Sequence, residues 1–483
     1  MLNICRQAVA ARELHTVTRF PALSGTEEWF DTFLNFERDP KQGIFWLKTV
    51  EFLCDLVGNP QNTFRSIHVA GSKGKGSVCA MLANIVDGAL SPVGLYMSPH
   101  VADFAERFTL CGAFFDDSAY SAAFTELKTA VDAAAENSFA AFPESRKPTW
   151  FELVTVFAFL LFKNAHCKIA VFETGMGGRL DATNVLQPSL CIINTIELEH
   201  TEYLGDTLEK IAAEKGGIIK NGVPTLVAPQ EKCVQTVLER IAAEKHARLY
   251  LLSDCAKVEA ATGQNGTSVR IDSPYFARTL ECVTGLSGGI QAQNAALAAV
   301  AAKLVLPDVS EACIENALAK TVLPARFELH RDNAAIPLYV LDGAHTPKSI
   351  AETVATFCSV CGYGGGSEGA EAALLFACAI DKEVEAIARA FARNFADSPK
   401  DAPSCPIHWT KIILTRPGQA KQCDPERMQN AFAQAGLEAA YIDDCTSAIQ
   451  SAFDYAAHHH IPLLVTGSFY LASEVGSIMR ICI

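Results

Sequence analysis

The sequence has no apolar run long enough to cross a bilayer. Its most apolar stretch, residues 153–162, lies between Glu152 and Lys163 and is far shorter than the roughly 20 residues that a membrane-spanning helix needs. Residues 1–7 have no continuous apolar core of the kind found in secretion signals. We therefore expect a cytoplasmic protein with no membrane partner, in which residues 153–162 form a buried helix.

Basic residues are in the minority, and cysteine motifs are scarce. The chain has 40 Lys and Arg against 54 Asp and Glu, a net charge of −14, which argues against general nucleic-acid binding, although a local positive cleft could still hold an anion. The 17 cysteines are scattered and odd in number, as expected for reduced thiols in a cytosolic protein. Cys358 and Cys361 form a C-x-x-C without a second pair, so a zinc or redox site is not favoured there.

The length of the chain predicts two domains. It has 483 residues, more than the roughly 250–300 at which a single core usually stops growing. Short apolar runs alternate with amphipathic segments, and this pattern indicates parallel sheets with helical crossovers. The predicted strands are 67–70, 93–97, 168–172, 190–193, 223–227, 249–252, 338–341, 373–378, 411–414 and 463–465.

We assign the chain to the α/β class. A P-loop-containing domain with a mostly parallel sheet, residues 1–322, is expected before a smaller Rossmann-like α/β domain, residues 323–483. A hinge is expected near residues 320–326. Residues 14–62 are expected to be helical, with an amphipathic helix at 44–56, and residues 255–275 resemble a polar insertion. Residues 362–367 and 397–406 are expected to be surface loops.

A glycine-rich loop follows the first of these strands and precedes apolar residues at helical spacing. Unpaired amides at such a helix start point at an anion, so the loop is typical of a phosphate cradle. Lys75 is expected to reach the outer phosphates and Ser77 to ligate magnesium. The spacing departs from the plain P-loop pattern, and an ordinary tight turn is the alternative. The loop consists of Gly71, Ser72, Lys73, Gly74, Lys75, Gly76 and Ser77.

Further polar residues follow other predicted strands. Because ligands bind outside the carboxyl ends of parallel strands, Ser98, Glu173 and His200 are expected to converge on the loop. Glu173 is the type of carboxylate that magnesium needs, although a solvated loop residue is the alternative. For His200, a structural role and a ligand role stay open. Asp342 and His345 close the first strand of the second domain and favour a nucleotide contact over a simple turn.

A set of ordered motifs resembles the folylpolyglutamate synthase/dihydrofolate synthase family of Mur-type ligases, over about residues 40–475. Their number and order make the resemblance specific at the level of the family. The matching segments are 68–77, 98–100 with Glu106 and Arg107, 173–184, 200–205, 214–220, Gln291 with Asn294, 326–328, 342–345 and 467–468.

The resemblance implies ATP as cofactor, with two Mg²⁺ ions. Lys75 and the amides around it would hold the phosphates, and Ser77 and Glu173 would bind one magnesium with Ser98 nearby. His200 would bind the second metal. The resemblance also implies a catalytic set of Lys75, Glu173, His200 and Lys215, with Lys215 at the position that this family carbamylates, and a nucleotide interface of Asn294, Arg326, Asp342 and His345.

Several positions depart from the family pattern without removing a phosphate or metal ligand. They leave folate selectivity and catalytic rate open. The departures are Ser72 where threonine is frequent, Lys73 for asparagine, Glu199 for aspartate, Gly216 for alanine, Ile290 for histidine and Thr346 for asparagine.

The implied reaction is ATP-dependent addition of L-glutamate to a folate through an acyl phosphate, catalysed by a monomer. Dihydrofolate synthase activity on dihydropteroate, alone or alongside chain extension, stays open. From another class, a nucleotide-hydrolysing switch protein would need neither glutamate nor a second domain carrying Asp342 and His345. A cell-wall ligase acting on a UDP-sugar is a further alternative, against which segments 98–100 and 173–184 favour folate.

Overall fold

The structure is a computed structural model that describes residues 20–36, 47–101, 103–135, 139–331, 336–363, 370–392, 407–418 and 422–481. The N-terminal residues 1–19, the predicted helix start at 44–46 and most of the predicted loops at 362–367 and 397–406 lie outside these ranges. Within the described ranges, no helix combines the length and apolar character needed to span a bilayer.

A seven-stranded sheet forms the first half of the chain, in the order β3-β2-β4-β1-β5-β6-β7. Only the edge strand β3 runs antiparallel to its neighbour, and all other pairs are parallel. The strands are β1 (Arg65–Ala70), β2 (Val93–Tyr96), β3 (Phe108–Leu110), β4 (Ile169–Glu173), β5 (Leu190–Ile193), β6 (Thr225–Val227) and β7 (Leu249–Leu251).

Helices cover both faces of this sheet because its central strands are apolar on both sides. The helices that precede the second sheet are α1 (Pro21–Phe30), α2 (Leu47–Leu56), α3 (Lys75–Asp87), α4 (Asp117–Ala135), α5 (Trp150–Asn164), α6 (Thr201–Leu204), α7 (Leu208–Gly216), α8 (Lys232–Glu244), α9 (Leu252–Cys255), α10 (Gly289–Val305) and α11 (Glu311–Lys320). Residues of α3 and α10 share one core cluster with Ile67 and Val171, and residues of α4 and α5 share another with Ala170 and Phe172.

Helix α5 is the predicted buried helix. Thr149 caps it: the Thr149 hydroxyl accepts from the Glu152 amide at 3.3 Å, and the Glu152 carboxylate accepts from the Thr149 amide at 2.7 Å. Near its other end, Phe162 packs over Gly94 in β2, where a Cβ atom would come within 2.7 Å of the ring. The apolar residues 153–162 therefore serve the core between helix and sheet.

Residues 257–284 form a three-stranded antiparallel sheet, which the interpretation as a polar insertion missed. Its strands are β8 (Lys257–Gly263), β9 (Gly266–Asp272) and β10 (Leu280–Thr284). Val269, Ile271 and Leu280 are buried in the same core cluster as α10. The alternate polar residues face outward, so the stretch reads as polar although one face closes the core.

A second sheet of six strands has the order β11-β12-β16-β13-β14-β15, with only β11 antiparallel. Its strands are β11 (Glu328–His330), β12 (Tyr339–Leu341), β13 (Ala370–Phe376), β14 (Ile407–Leu414), β15 (Ala440–Tyr441) and β16 (Leu463–Thr466). The helices are α12 (Pro347–Cys361), α13 (Val384–Ala392), α14 (Pro425–Gln434), α15 (Cys445–His459) and α16 (Phe469–Ile481).

The two sheets have separate cores. Residues of α12, α13 and α14 pack on one face of the second sheet, and residues of α15 and α16 pack on the other. The chain passes between the two halves near Val322, which is 71% exposed. The predicted fold class, a mostly parallel P-loop-type domain followed by a smaller Rossmann-like one, is confirmed.

Candidate active site between the two sheets

The glycine-rich loop joins β1 to the first turn of α3. Gly74 is the N-cap of α3 and has a φ of 72°, a left-handed conformation that glycine adopts without strain. A Cβ atom on Gly74 would lie 2.5 Å from Asn194 Nδ2 and 2.6 Å from Asn294 Oδ1. Only glycine therefore fits the point where strand turns into helix, and the predicted cradle geometry is present.

The segment that follows β5 holds this loop from one side. The Ser72 amide donates to the Thr195 carbonyl at 2.8 Å. The Ser72 hydroxyl donates to the Glu197 carbonyl and accepts from the Glu197 amide, both at 3.0 Å. Beneath Gly74, Asn194 Nδ2 donates to Asn294 Oδ1 at 2.9 Å, so Asn294 of α10 lies at the loop.

Two lysines share one carbonyl of the loop. Lys75 Nζ and Lys215 Nζ both donate to the Gly71 carbonyl, at 3.0 and 2.9 Å. Lys215 is 1% exposed, so it is not the surface residue that a lysine usually is. Burial, together with the charge of Lys75, lowers the pKa of Lys215 to about 8.

Lys215 also forms an ion pair with Glu199 Oε1 at 2.8 Å. Burial opposes ionisation of Glu199, but the charges of Lys215 and Lys75 outweigh it and hold the pKa of Glu199 below its usual value. The glutamate that replaces the family's aspartate therefore binds an amine of the site.

Glu173 ends strand β4 directly beside the loop. It is 5% exposed, and its Oε2 atom accepts from the Ser98 amide at 3.1 Å. A Cβ atom on Gly76 would lie 3.4 Å from the same oxygen. Glu173, Ser98 and the loop thus converge as the strand order predicts, and Ser77 lies buried in the first turn of α3.

The carboxylate of Glu173 lacks a full set of partners for its charge. Burial raises the pKa of Glu173, while the charges of Lys75 and Arg326 and the Ser98 amide act in the opposite direction. Because the pKa is raised overall, the surrounding described residues do not fully stabilise the negative charge of Glu173. A buried carboxylate of this kind can accept a cation.

Arg326 brings a charge from the second domain to Glu173. Its guanidinium lies 4.3 Å from the centre of the Phe469 ring. Burial lowers the pKa of Arg326, and the carboxylates of Glu173 and Asp342 raise it. Arg326 is therefore influenced by the charge of a carboxylate from each half of the chain.

The Asp342 carboxylate forms hydrogen bonds within its own domain. Its carboxylate accepts from the amides of Phe327 and Ala344, at 2.8 and 2.9 Å, and from the Thr353 hydroxyl at 2.8 Å. Burial raises the pKa of Asp342 although these hydrogen bonds oppose the rise. Asp342 thereby holds the backbone of Phe327 and Ala344, which are the sequence neighbours of Arg326 and His345.

His345 is a neutral imidazole in a cationic part of the cleft. Its Nδ1 atom donates to the Gly343 carbonyl at 2.8 Å, which leaves Nε2 unprotonated. Burial lowers the pKa of His345 to about 4, and the charges of Lys382, Lys73 and Arg326 contribute to the shift. Lys73 comes from the glycine-rich loop, so the loop and the second domain face each other here.

His200 lies seven residues after the end of its strand, as the predicted strand bounds imply. β5 ends at Ile193, and His200 is the N-cap of the short helix α6, with a φ of 46°. Burial lowers the pKa of His200, Glu199 raises it, and Lys215, Lys75 and Lys382 lower it further. In the described ranges, no cluster of three or more His, Cys, Asp or Glu side chains is arranged to hold a metal.

Several residues that shape the site escaped sequence reasoning. Lys382 follows β13, yet its charge reaches both His200 and His345. Asp181 accepts from the amides of Gly175 and Met176, at 2.9 and 3.0 Å, and so fixes the turn after Glu173. Nothing local in the sequence marks the influence of Lys382, because it depends on how strands are ordered in space, whereas the Asp181 contacts lie within a single turn.

Two family matches cover most of the chain. Residues 69–302 match the Mur ligase middle domain, and residues 325–469 match the Mur ligase glutamate ligase domain. By class, therefore, the chain is a Mur-type ligase.

Its relatives define the family more closely. The dihydrofolate synthase/folylpolyglutamate synthase of Bacillus subtilis is 33% identical over 347 residues, covering 70% of this chain and 76% of the relative. The folylpolyglutamate synthase of Lacticaseibacillus casei is 28% identical over 88% of this chain and 92% of its own. The crystal structure of Thermotoga maritima folylpolyglutamate synthase aligns with a TM-score of 0.77 and 25% identity, covering 95% of this chain and 96% of that one.

The chain belongs to the folylpolyglutamate synthase/dihydrofolate synthase family, and the predicted family is confirmed. The same fold occurs in a Mycobacterium tuberculosis folylpolyglutamate synthase solved with ADP and AMPPCP, with a TM-score of 0.78, 23% identity, and coverage of 95% of this chain and 97% of that one.

Proposed function

We propose that this chain is a folylpolyglutamate synthase, an ATP-dependent ligase that adds L-glutamate to a tetrahydrofolate. The observation that carries the proposal is the convergence of Lys75, Glu173 and Arg326 where the glycine-rich loop meets the second domain. Family membership supports the same reaction, because relatives in Bacillus subtilis and Lacticaseibacillus casei are named for it.

ATP is proposed to bind along the loop with its phosphates at the start of α3. Amides of the loop and Lys75 Nζ provide the donors and the charge that a triphosphate needs. Asn294, Arg326, Asp342 and His345 complete the proposed nucleotide interface. Support comes from the position of Asn294 beneath Gly74 and from the charge that Arg326 brings to Glu173.

The oxygen donors beside the loop fit a magnesium ion. Mg²⁺ prefers carboxylate and hydroxyl oxygens, and Glu173 and Ser77 offer both, with Ser98 adjacent through its amide. The buried carboxylate of Glu173, which is 5% exposed and lies beside Gly76 of the loop, is the observation that favours a cation. His200, whose lowered pKa keeps it neutral, is proposed as a ligand of the second ion. When bound, the two ions neutralise charge on the phosphates.

Both reactants of the first step are anionic. An oxygen of the folate carboxylate attacks the γ-phosphorus of ATP, which gives an acyl phosphate and releases ADP. Lys75 offsets the repulsion between the two reactants. The amine of L-glutamate then attacks the acyl carbon, loses a proton, and displaces inorganic phosphate to leave an amide. Closure of the two domains excludes the water that would hydrolyse the acyl phosphate.

Lys215 is proposed to support the loop in this chemistry. Its amine holds the Gly71 carbonyl and the Glu199 carboxylate. With a pKa of about 8, it has a larger neutral fraction at neutral pH than an exposed lysine would have, and the neutral amine is the form that carbon dioxide can carbamylate.

We propose the division into residues 1–322 and 323–483, with a hinge at 320–326. The two family matches, residues 69–302 and 325–469, lie on either side of the boundary between residues 322 and 323. Exposed Val322 lies within the hinge. We also propose a cytoplasmic location, on the basis of scattered cysteines of the kind that stay reduced, and we keep the expectation of a monomer as a prediction.

Dihydrofolate synthase activity is the second candidate. It is favoured by the names of relatives, including the bifunctional Bacillus subtilis protein and a Schizosaccharomyces pombe dihydrofolate synthetase 33% identical over 62% of this chain. Turnover with dihydropteroate and with tetrahydrofolate monoglutamate, measured side by side under saturating ATP and glutamate, separates the two activities.

ADP release tests the proposal as a whole. We expect ADP to form only when ATP, L-glutamate and a pteridine substrate are present together, with one amide formed per ADP. ADP release that ignores glutamate and the pteridine would instead indicate a nucleotide-hydrolysing switch.

A further inference from the structure

An ion pair joins the two halves of the chain beside the glycine-rich loop. Glu197 follows β5 in the first half, and Lys348 lies in the first turn of α12 in the second. Lys348 Nζ donates to Glu197 Oε1. The Lys348 side chain is 68% exposed and that of Glu197 is 27% exposed, so the pair lies at the mouth of the interface.

Glu197 also holds the loop itself. Its amide donates to the Ser72 hydroxyl and its carbonyl accepts from it, both at 3.0 Å. The backbone of Glu197 therefore binds the phosphate loop while its side chain binds the second domain. A movement of α12 away from the first domain would break the side-chain contact and leave the backbone contact in place.

Two further charges extend this contact. Glu352 lies one helical turn beyond Lys348 on α12, and Lys73 lies in the loop. Burial raises the pKa of Glu352, Lys348 lowers it, Glu197 raises it, and Lys73 lowers it. The four side chains thus form a cluster of two acids and two bases, with one acid and one base from each domain.

We propose that Glu197 and Lys348 are positioning residues that hold the second domain closed over the phosphate loop. The expected effect on ligation rests on the proposed function. The expected effect on domain closure rests on the geometry alone. Exposed ion pairs contribute little to stability. A small free energy is still enough to shift an equilibrium between open and closed arrangements, and salt weakens the pair because it is exposed.

Charge removal and charge reversal test the pair. Lys348→Met and Glu197→Gln remove one charge each, and the double variant Glu197→Lys/Lys348→Glu restores a pair with the signs exchanged. Arg278→Met is a matched control, because Arg278 and Glu315 form an ion pair of comparable exposure within the first half of the chain. Each protein is assayed for ligation and examined by small-angle X-ray scattering without substrates, at low and at high salt.

At low salt we expect kcat/KM for glutamate to fall about two- to fivefold in each single variant. The double variant should recover most of the loss. Near 1 M salt, where the screening length is about 3 Å, wild type and variants should converge. The radius of gyration should increase in the single variants at low salt and not in Arg278→Met.

Two results would overturn the proposal: an unchanged radius of gyration in both single variants, or a loss of activity equal to that of Arg278→Met at every salt concentration. The scattering result does not depend on which substrates the enzyme uses. If glutamate ligation were absent but the variants still expanded, the proposed function would fail and the closure contact would stand.

Discussion

Asn194 and Asn294 are 100 residues apart in sequence, and their side-chain amides meet at 2.9 Å beneath the glycine-rich loop. Asn194 follows β5, and Asn294 lies in the second turn of α10. The pair leaves room for a hydrogen atom at Gly74 and for nothing larger. The shape of the loop is therefore fixed by residues far from it in the chain.

Gly74→Ala should lower nucleotide affinity by about tenfold or more while the fold is kept, because a left-handed residue with a side chain carries a strain of this order. The added methyl group would also displace Asn194 or Asn294. Isothermal titration with ADP measures the effect. Gly25→Ala is the control, since nothing lies within 4 Å of its Cβ position; equal affinities in the two variants would contradict the account.

Lys75→Met should reduce ADP formation by about a hundredfold or more, as expected for loss of a charge that faces the transferring phosphoryl group. Its hydrogen bond to the Gly71 carbonyl does not hold the core together. Circular dichroism should therefore be unchanged. Near-normal turnover in a folded variant would remove Lys75 from the proposed mechanism.

Glu173→Gln should weaken magnesium affinity by at least about tenfold, because the amide keeps the shape and loses the charge. Without metal, the same change should alter stability with pH. Burial raises the pKa of Glu173 above its usual 4.5, so the ionised carboxylate destabilises the wild type increasingly as pH rises above about 4.5.

Thermal unfolding in a chelator at pH 5 and pH 8 measures that second effect. The unfolding temperature of Glu173→Gln relative to wild type should be higher at pH 8 than at pH 5. If the difference in unfolding temperature does not change with pH, the pKa of Glu173 is not raised. If the magnesium titration is also unchanged, Glu173 is not a magnesium ligand.

His345→Gln should make stability less sensitive to acid. The pKa of His345 is lowered from 6.5 to about 4, so its neutral form is favoured in the folded state. Its contribution to stability is complete above pH 6.5 and is lost as pH falls toward 4, by up to about 3 kcal/mol. Urea unfolding at pH 7 and pH 4.5 should show a smaller loss of stability on acidification in the variant than in wild type. An equal loss of stability would contradict the lowered pKa of His345.

Much of the fold could be predicted because the apolar strands and the turn chemistry are local signals. The runs around Val69, Val171 and Ile192 are parallel neighbours, and the apolar stretch 153–162 lies in the buried helix α5. The three-stranded sheet at 257–284 was missed although the alternation of buried Val269 and Ile271 with exposed polar residues is the pattern of a half-buried strand. The four residues from Gly263 to Gly266 were the available signal for its first hairpin.

The site was less accessible to sequence reasoning. Strand order could place Glu173 and Ser98 beside the loop, because both lie at or near strand ends. The pairing of Lys215 with Glu199 and that of Lys348 with Glu197 depend on side chains that meet only after the strands are ordered and the domains are closed. Such contacts leave no periodic or compositional trace.

The transfer of oxygen from the folate carboxylate to phosphate tests the central claim most directly. A substrate whose reacting carboxylate carries a heavy oxygen isotope is turned over with ATP and L-glutamate, and the inorganic phosphate is examined by mass spectrometry. The acyl-phosphate mechanism predicts one labelled oxygen in each phosphate released with the amide product. Phosphate without label, formed at the same rate, would show that water attacks ATP and would contradict the account.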